Sequence, residues 1–238
     1  MILAYTPDIV DGLATFDAEE TRHTIKVLRK RPGDELHWID GRGGRYRGHV
    51  HETGKRHFTA TVAEAHHEPQ RRPHRITLAV APTKNIARYE WLLEKATEIG
   101  VDALVPLYCA HSERKRLRPD RLEKIVLSAT KQSLKAHLPQ LHAPVALDEF
   151  LQQLPAPTAR TRRLIAHCAP GDKAPVPGNF AADADVLVLI GPEGDFSAEE
   201  IALAERCGCA GLHLGPERLR TETAALVALT LVNHALNP

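Results

Sequence analysis

Two apolar runs that each stop at a Gly-Pro-Glu triplet constrain this chain more than any other feature. The first, Val186-Leu187-Val188-Leu189-Ile190, is closed by Gly191-Pro192-Glu193-Gly194; the second, Leu212-His213-Leu214, is closed by Gly215-Pro216-Glu217. Proline lacks the N–H that a ladder needs, so an apolar run that halts there reads as a buried strand ending in a tight loop with free backbone amides and carbonyls. Ligands gather beyond the carboxyl ends of strands in open α/β sheets, and the two loops are therefore predicted to form two walls of one pocket.

The sequence around these loops alternates strands with amphipathic helices. Strands are expected near residues 76–81, 103–107, 163–168, 186–190 and 212–214, and helices over 86–99, 121–137 and 224–236. A further helix should start at Ser197, with Glu200 in capping-box register, and Thr221 or Thr223 should cap the last helix. Residues 139–157 are proline-rich and leave room for only a short helix around 148–154. This alternation implies a mainly parallel sheet with helices on its faces. Residues 1–70 differ in texture. Short strands at 35–39, 46–51 and 58–62 are joined by turns at Asp40-Gly41 and Thr53-Gly54-Lys55, with one helix over 18–30 carrying Ile25, Val27 and Leu28. That pattern predicts a small β-barrel. The proline-bounded polar stretch Glu68-Pro69-Gln70-Arg71-Arg72-Pro73 separates the parts, giving domains at 1–70 and 74–238.

Composition narrows the chemistry. No window approaches eighteen apolar residues, and Met1-Ile2-Leu3-Ala4-Tyr5 lacks the basic and apolar regions of a signal peptide, so a cytoplasmic protein without a membrane segment is expected. Cys109, Cys168, Cys207 and Cys209 contain no CxxC pair, and neither a disulfide framework nor a metal site is expected. Gly191-Pro192-Glu193-Gly194 has no Lys-Ser/Thr for cradling phosphate, and Pro82-Thr83-Lys84-Asn85 after the first long strand is no dinucleotide fingerprint. The formal charge is only +1, but basic residues cluster at Arg29-Lys30-Arg31, at Arg42, Arg45 and Arg47, at Arg71, Arg72 and Arg75, and at Arg114-Lys115-Arg116. Local clustering is what a polyanion reads. His49 and His51 share one strand face at no ligand spacing, which suits a solvated or RNA-facing role.

The combination Ile190-Gly191-Pro192-Glu193-Gly194 with Leu214-Gly215-Pro216-Glu217-Arg218-Leu219-Arg220-Thr221-Glu222-Thr223-Ala224 resembles the signature of the RsmE family of 16S rRNA uridine N3-methyltransferases, in the SPOUT superfamily. The resemblance spans nearly the whole chain. His23-Thr24-Ile25-Lys26-Val27-Leu28-Arg29 with Pro32-Gly33-Asp34 resembles the start of that family's PUA-like RNA-binding domain; residues 90–101 with Pro106 resemble its first catalytic-domain helix and following strand, and His111-Ser112-Glu113-Arg114 its Ser-Glu-Arg element. Two departures stand out. Lys131 before Gln132, with Lys135 beyond, replaces an expected acidic residue and arginine, which implies a rewired rRNA contact; the usual arginine near the N-terminus is also missing.

The resemblance implies an α/β fold: a C-terminal SPOUT trefoil-knot methyltransferase domain with a small N-terminal PUA-like β-barrel. It implies S-adenosylmethionine as cofactor, held by Leu189, Ile190, Gly191, Pro192, Glu193, Gly194, Leu214, Gly215, Pro216, Leu219, Arg220, Thr223 and Ala224. It also implies a homodimer through the C-terminal domain, acting on 16S rRNA of the small ribosomal subunit without a metal. Uridine N3 must lose its proton before it attacks the sulfonium methyl; Arg220 is the candidate for charge stabilisation and Glu222 for positioning or proton acceptance. Arg29, Lys30, Arg31, Arg42, Arg45 and Arg114 are the candidate RNA contacts. Two other readings remain open: a SPOUT ribose 2′-O-methyltransferase of rRNA or tRNA, and a non-catalytic RNA-binding assembly factor.

Overall fold

The computed structural model describes residues 2–68, 72–178 and 180–237. Two compact units make up the chain: Met1–Arg71 with Leu127–Leu138, and Arg72–Val126 with Pro139–Pro238. Of the stretch expected to separate the domains, Pro69, Gln70 and Arg71 lie outside the described residues. Residues 127–138, expected to belong wholly to the second domain, group with the first unit.

The first unit is built on six strands: β1 (Leu3–Tyr5), β2 (Ile9–Val10), β3 (Leu13–Phe16), β4 (Glu35–Ile39), β5 (Gly44–Thr53) and β6 (Phe58–His67). They run in the order β1-β4-β5-β6-β3-β2, with β1 and β4 parallel and the remaining pairs antiparallel. Alternate residues point inward, as a pleat requires. Leu36 and Trp38 on β4, Phe58 and Ala60 on β6, and Ala14 and Phe16 on β3 fill one core. Phe16 stacks on Phe58 at 4.3 Å and meets Trp38 edge-on at 5.8 Å, both favoured aromatic arrangements. Ala4 of β1 joins the same core, and the Thr6 hydroxyl donates to the Thr15 carbonyl at 2.5 Å. Both ends of the strand order therefore meet, and the sheet curls into the expected barrel.

The N-terminal helix of this unit departs from expectation. It begins as α1 (Ala18–Thr21), capped by the Asp17 carboxylate on the amides of Glu19 and Glu20, and then widens into a π-helix over Arg22–Val27. The Leu28 amide donates to the His23 carbonyl five residues back, and Arg29 turns left-handed at φ 57°. Widening the turn changes which side chains face inward. Thr24 is buried and Ile25 packs on the core, but Val27 is 63% exposed.

The second unit contains β7 (Arg75–Val80), α2 (Ile86–Ile99), β8 (Ala103–Tyr108), α3 (Pro119–Gln132, whose last turns belong to the first unit), β9 (Gln140–Leu141), β10 (Val145–Ala146), α4 (Leu147–Gln152), β11 (Thr161–Ala166), β12 (Asp185–Ile190), α5 (Ala198–Arg206), β13 (Cys209–Leu212) and α6 (Thr221–Leu236). All its strand pairs are parallel, in the order β10-β8-β7-β12-β11-β13, with β9 also beside β8. The central strands β7 and β12 are apolar nearly throughout because helices cover both faces of such a sheet. Gly100 ends α2, and Ser197 and Glu200 form the expected capping box on α5. The short strands β9 and β10 interrupt the proline-rich stretch, α3 stops at Gln132 ahead of the left-handed Leu134, and β13 runs over 209–212, earlier than expected. From the edge strand β13 the chain returns to the middle of the sheet, where α6 packs on α2, β7 and β12.

Candidate functional site

Strands β12, β11 and β13 lie side by side, and their carboxyl ends share a cavity of about 610 Å³. Ile190, Gly191, Pro192, Glu193 and Gly194 line it from the loop after β12; Leu214, Gly215, Pro216, Leu219 and Ala224 line it from the loop after β13 and the start of α6. The two Gly-Pro loops thus converge, although their strands are not neighbours. The strand between them supplies a wall that sequence reasoning missed. Ala166, His167 and Cys168 follow β11 into the cavity, and Lys173, Asp195, His213, Glu217, Arg218 and Thr221 complete it. A signal for this wall was present in residues 163–170, an apolar strand that also stops at a proline; the strand order that makes it central was not legible.

Several expected site residues are placed elsewhere. Leu189 is fully buried in the hydrophobic core with Ala79 and Ile165, because the pleat turns its side chain into the sheet packing. Arg220 is the N-cap of α6 and exposed, and Thr223 is exposed on its first turn; neither lines the cavity. No side chain caps α6: the Thr221 hydroxyl instead donates to the Gly191 carbonyl at 3.1 Å. Glu222 is also off the cavity wall. It is buried, with its Oε1 3.7 Å from the Arg88 guanidinium of α2.

The first loop is fastened on every side. The Lys84 amide donates to Glu193 Oε1 at 2.9 Å. Asp195 adopts a left-handed φ of 64°, and its carboxylate accepts from the Cys168 amide at 2.6 Å and the Phe196 amide at 2.8 Å, local bonds that suit Asp to that conformation. A Cβ on Gly191 would lie 3.1 Å from the Phe196 ring, so this backbone passes where a side chain has little room. Gly215, at φ 109°, has nothing within 4 Å of its would-be Cβ, leaving bare backbone on the opposite wall. Glu193, Asp195, Glu217, Lys173 and Arg218 are the charged residues of the lining; the carboxylates of Glu193 and Asp195 are engaged by the backbone amides above, and the Lys173 ammonium donates to the His167 carbonyl at 3.1 Å and the Ala169 carbonyl at 2.8 Å. Burial, and then the Lys173 ammonium, hold the His167 imidazole below the ordinary histidine value.

The His111-Ser112-Glu113-Arg114 element braces the neighbouring loop. Buried Ser112 accepts the Cys109 amide at 2.9 Å, Glu113 pairs with Lys84 at 2.8 Å, and Arg114 donates to the carbonyls of Thr83 at 3.1 Å and Lys84 at 2.6 Å. Arg114 therefore uses its guanidinium on this loop and belongs to the second unit, whereas the other candidate RNA contacts belong to the first. Among the other candidate RNA contacts, Arg29, Arg31 and Arg42 are exposed, Lys30 donates to the Glu35 carbonyl at 3.0 Å, and Arg45 pairs with Glu68 at 2.7 Å. Lys131, one of the two departures from the family pattern, points inward in an ion pair with the buried Glu20. Among the described residues no group of His, Cys, Asp and Glu is arranged to hold a metal, and no helix is long and apolar enough to cross a membrane.

An all-parallel sheet with a loop-walled cavity on its carboxyl side, in a chain that also carries a small β-barrel, defines a two-part α/β protein of the ligand-binding kind. Residues 70–233 match the family model described as an RNA methyltransferase domain, and residues 16–63 match that of an RNA methyltransferase PUA domain. The chain is 30% identical over 237 residues to the ribosomal RNA small subunit methyltransferase E of Synechocystis, covering 96% of this chain and 75% of that protein. It is equally identical over 241 residues to the Mycobacterium bovis protein of the same name, covering 97% and 90%. A crystal structure of a ribosomal RNA small subunit methyltransferase E from Neisseria gonorrhoeae, bound to S-adenosyl methionine, superposes with a TM-score of 0.80 at 27% identity, over 96% of this chain and 95% of that one. The chain belongs to the RsmE family of RNA methyltransferases.

Proposed function

We propose that this protein transfers a methyl group from S-adenosylmethionine to N3 of a uridine in 16S rRNA of the small ribosomal subunit, in the cytoplasm and as a homodimer. The observation that carries the reading is the convergence of the two Gly-Pro loops on one cavity, in a chain related over nearly its full length to proteins of that name. The cavity fits the cofactor. Its volume lies within the roughly 300–1,000 Å³ of small-molecule sites. Apolar walls from Ile190, Leu212, Leu214 and Leu219, with glycine backbone at 191 and 215, suit an adenine ring.

When bound, the cofactor supplies an electrophilic methyl on a sulfonium centre. The protein's own task is to hold the uracil against it and to favour the base without its N3 proton. Arg220 stands exposed between Leu219 and Thr221, both cavity-lining, where its charge can face O2 or O4 of an incoming base. Glu222, beside Arg88, serves as a positioning residue that ties the start of α6 to α2. Exposed Arg29, Arg31 and Arg42 contact rRNA phosphates. Trp91 on α2 and Leu231 on α6 are large apolar side chains left 46% and 41% exposed, of the kind a second copy would cover.

The test is incubation with labelled S-adenosylmethionine and small subunits, or bare 16S rRNA, from an unmodified strain, followed by nucleoside mass spectrometry. A methyl on the uracil ring supports the reading. A methyl on ribose assigns the chain to 2′-O chemistry, and no transfer with no cofactor binding points to an assembly factor. Loss of turnover in Arg220→Ala, with cofactor binding retained, would place Arg220 in the reaction.

A further inference from the structure

A second cavity, of about 430 Å³, lies in the first unit and has no part in the site above. Its floor is apolar: Ile2, Leu3 and Ala4 of β1 and its approach, with Leu28 and Leu36. Two imidazoles, His23 and His37, also line it, as does Glu35, whose carboxylate lies 3.1 Å from His37 Nε2, and Lys30 stands on it with its ammonium 3.0 Å from the Glu35 carbonyl.

We infer that this cavity receives one unstacked nucleobase of single-stranded RNA. This inference rests on the proposed rRNA substrate and names a site for part of it. Three observations carry it. The volume falls within the roughly 300–1,000 Å³ of small-ligand sites, and an apolar floor with imidazole planes is what a splayed base stacks on. The π-helix Arg22–Val27 forms one wall through His23 and Thr24, and such widened turns recur at functional sites. The segment that forms this wall, residues 22–31, contains Arg22, Lys26, Arg29, Lys30 and Arg31 and no acidic residue; Glu35 is the acidic residue of the lining, and five basic residues on this one wall make it complementary to the phosphates flanking the base. The left-handed Arg29 follows the wall directly and aims the chain back so that Leu28 and Lys30 both reach the cavity.

The experiment measures binding of a fluorescent single-stranded oligoribonucleotide, and of 16S rRNA, by the full-length protein across a salt series. Three variants are compared with wild type: Ile2→Trp, which fills the cavity from a residue that is already 57% exposed; His37→Ala; and Lys30→Gln. Ile2→Trp and His37→Ala should each weaken oligonucleotide binding about tenfold, the loss that follows removal of one base stack. Lys30→Gln should lower the salt slope by about one ion. Lys55→Gln, in an exposed turn outside the cavity, is the control for a general loss of charge. Circular dichroism and cofactor binding by each variant separate a folding defect from a lost contact. If Ile2→Trp and His37→Ala, both folded, bind as wild type does, the cavity is not a base site, even though wild-type methylation of rRNA would still uphold the proposed function. If wild type neither binds nor methylates rRNA, it is the proposed function that fails.

Discussion

The Thr221 hydroxyl, at the first residue of α6, donates to the Gly191 carbonyl at 3.1 Å, and this buried bond joins the loop after β12 to the loop after β13. It spans thirty residues of sequence and closes the wall of the cavity behind both Gly-Pro turns.

Replacing Thr221 with valine keeps the shape and removes the donor. The Gly191 carbonyl would then be buried without that partner, at a cost of about 1–3 kcal/mol. The expected outcome is a lower urea midpoint and weaker binding of S-adenosylmethionine by calorimetry. A variant with wild-type affinity would show that the loops hold their positions without this bond.

Lys131 should matter for stability and not for RNA. Its partner Glu20 is buried, and burial raises the carboxyl pKa while the Lys131 charge opposes the rise. Lys131→Met leaves that carboxylate uncompensated and should cost about 3 kcal/mol in chemical denaturation. The double variant Glu20→Leu/Lys131→Met should recover most of the loss. Unchanged stability with weakened rRNA binding in the single variant would return Lys131 to the RNA interface.

Of the four cysteines, Cys168 should react first. Burial pushes the thiols of Cys109 and Cys209 up to about 12, whereas Cys168 is exposed at the cavity wall. Limited iodoacetamide treatment followed by peptide mapping should find the label on Cys168, and saturating S-adenosylmethionine should slow its reaction. Equal labelling with and without the cofactor would place the cofactor away from the β11 wall.

His167 makes stability depend on mild acid. Its folded pKa lies below the ordinary 6.5 because of burial and then the Lys173 charge, so the unfolded chain takes up the proton first as the pH falls. Stability contributed at neutral pH is therefore lost from about pH 6.5 downward. His142 shifts the same way, through burial and then Arg75. His167→Gln should flatten part of the fall in Tm between about pH 7 and about pH 5; an identical pH profile would exclude His167 as a contributor.

Much of this architecture was legible in residue order because it depends on local constraints. Proline ends β12 and β13 or the turns after them, Gly100 ends α2, Ser197 and Glu200 start α5, and two-residue alternation marks β4 and β6. Each of these signals acts within a few residues. The helix after Asp17 was misjudged because nothing in Arg22–Val27 forbids an α-helix; its wider turn accompanies the packing of Ile25 and Thr24 in the barrel unit.

That each apolar run ends in a tight Gly-Pro loop was thus set by the sequence itself, since the loops' dihedral limits and apolar approaches are written in adjacent residues. Tertiary structure alone decided that β11 runs between β12 and β13 and brings His167 and Cys168 to the cavity, that Glu222 turns to Arg88, and that Lys131 pairs with Glu20. Those relations join residues far apart in the chain, and only the order of strands and the packing of helices bring them within a few ångströms.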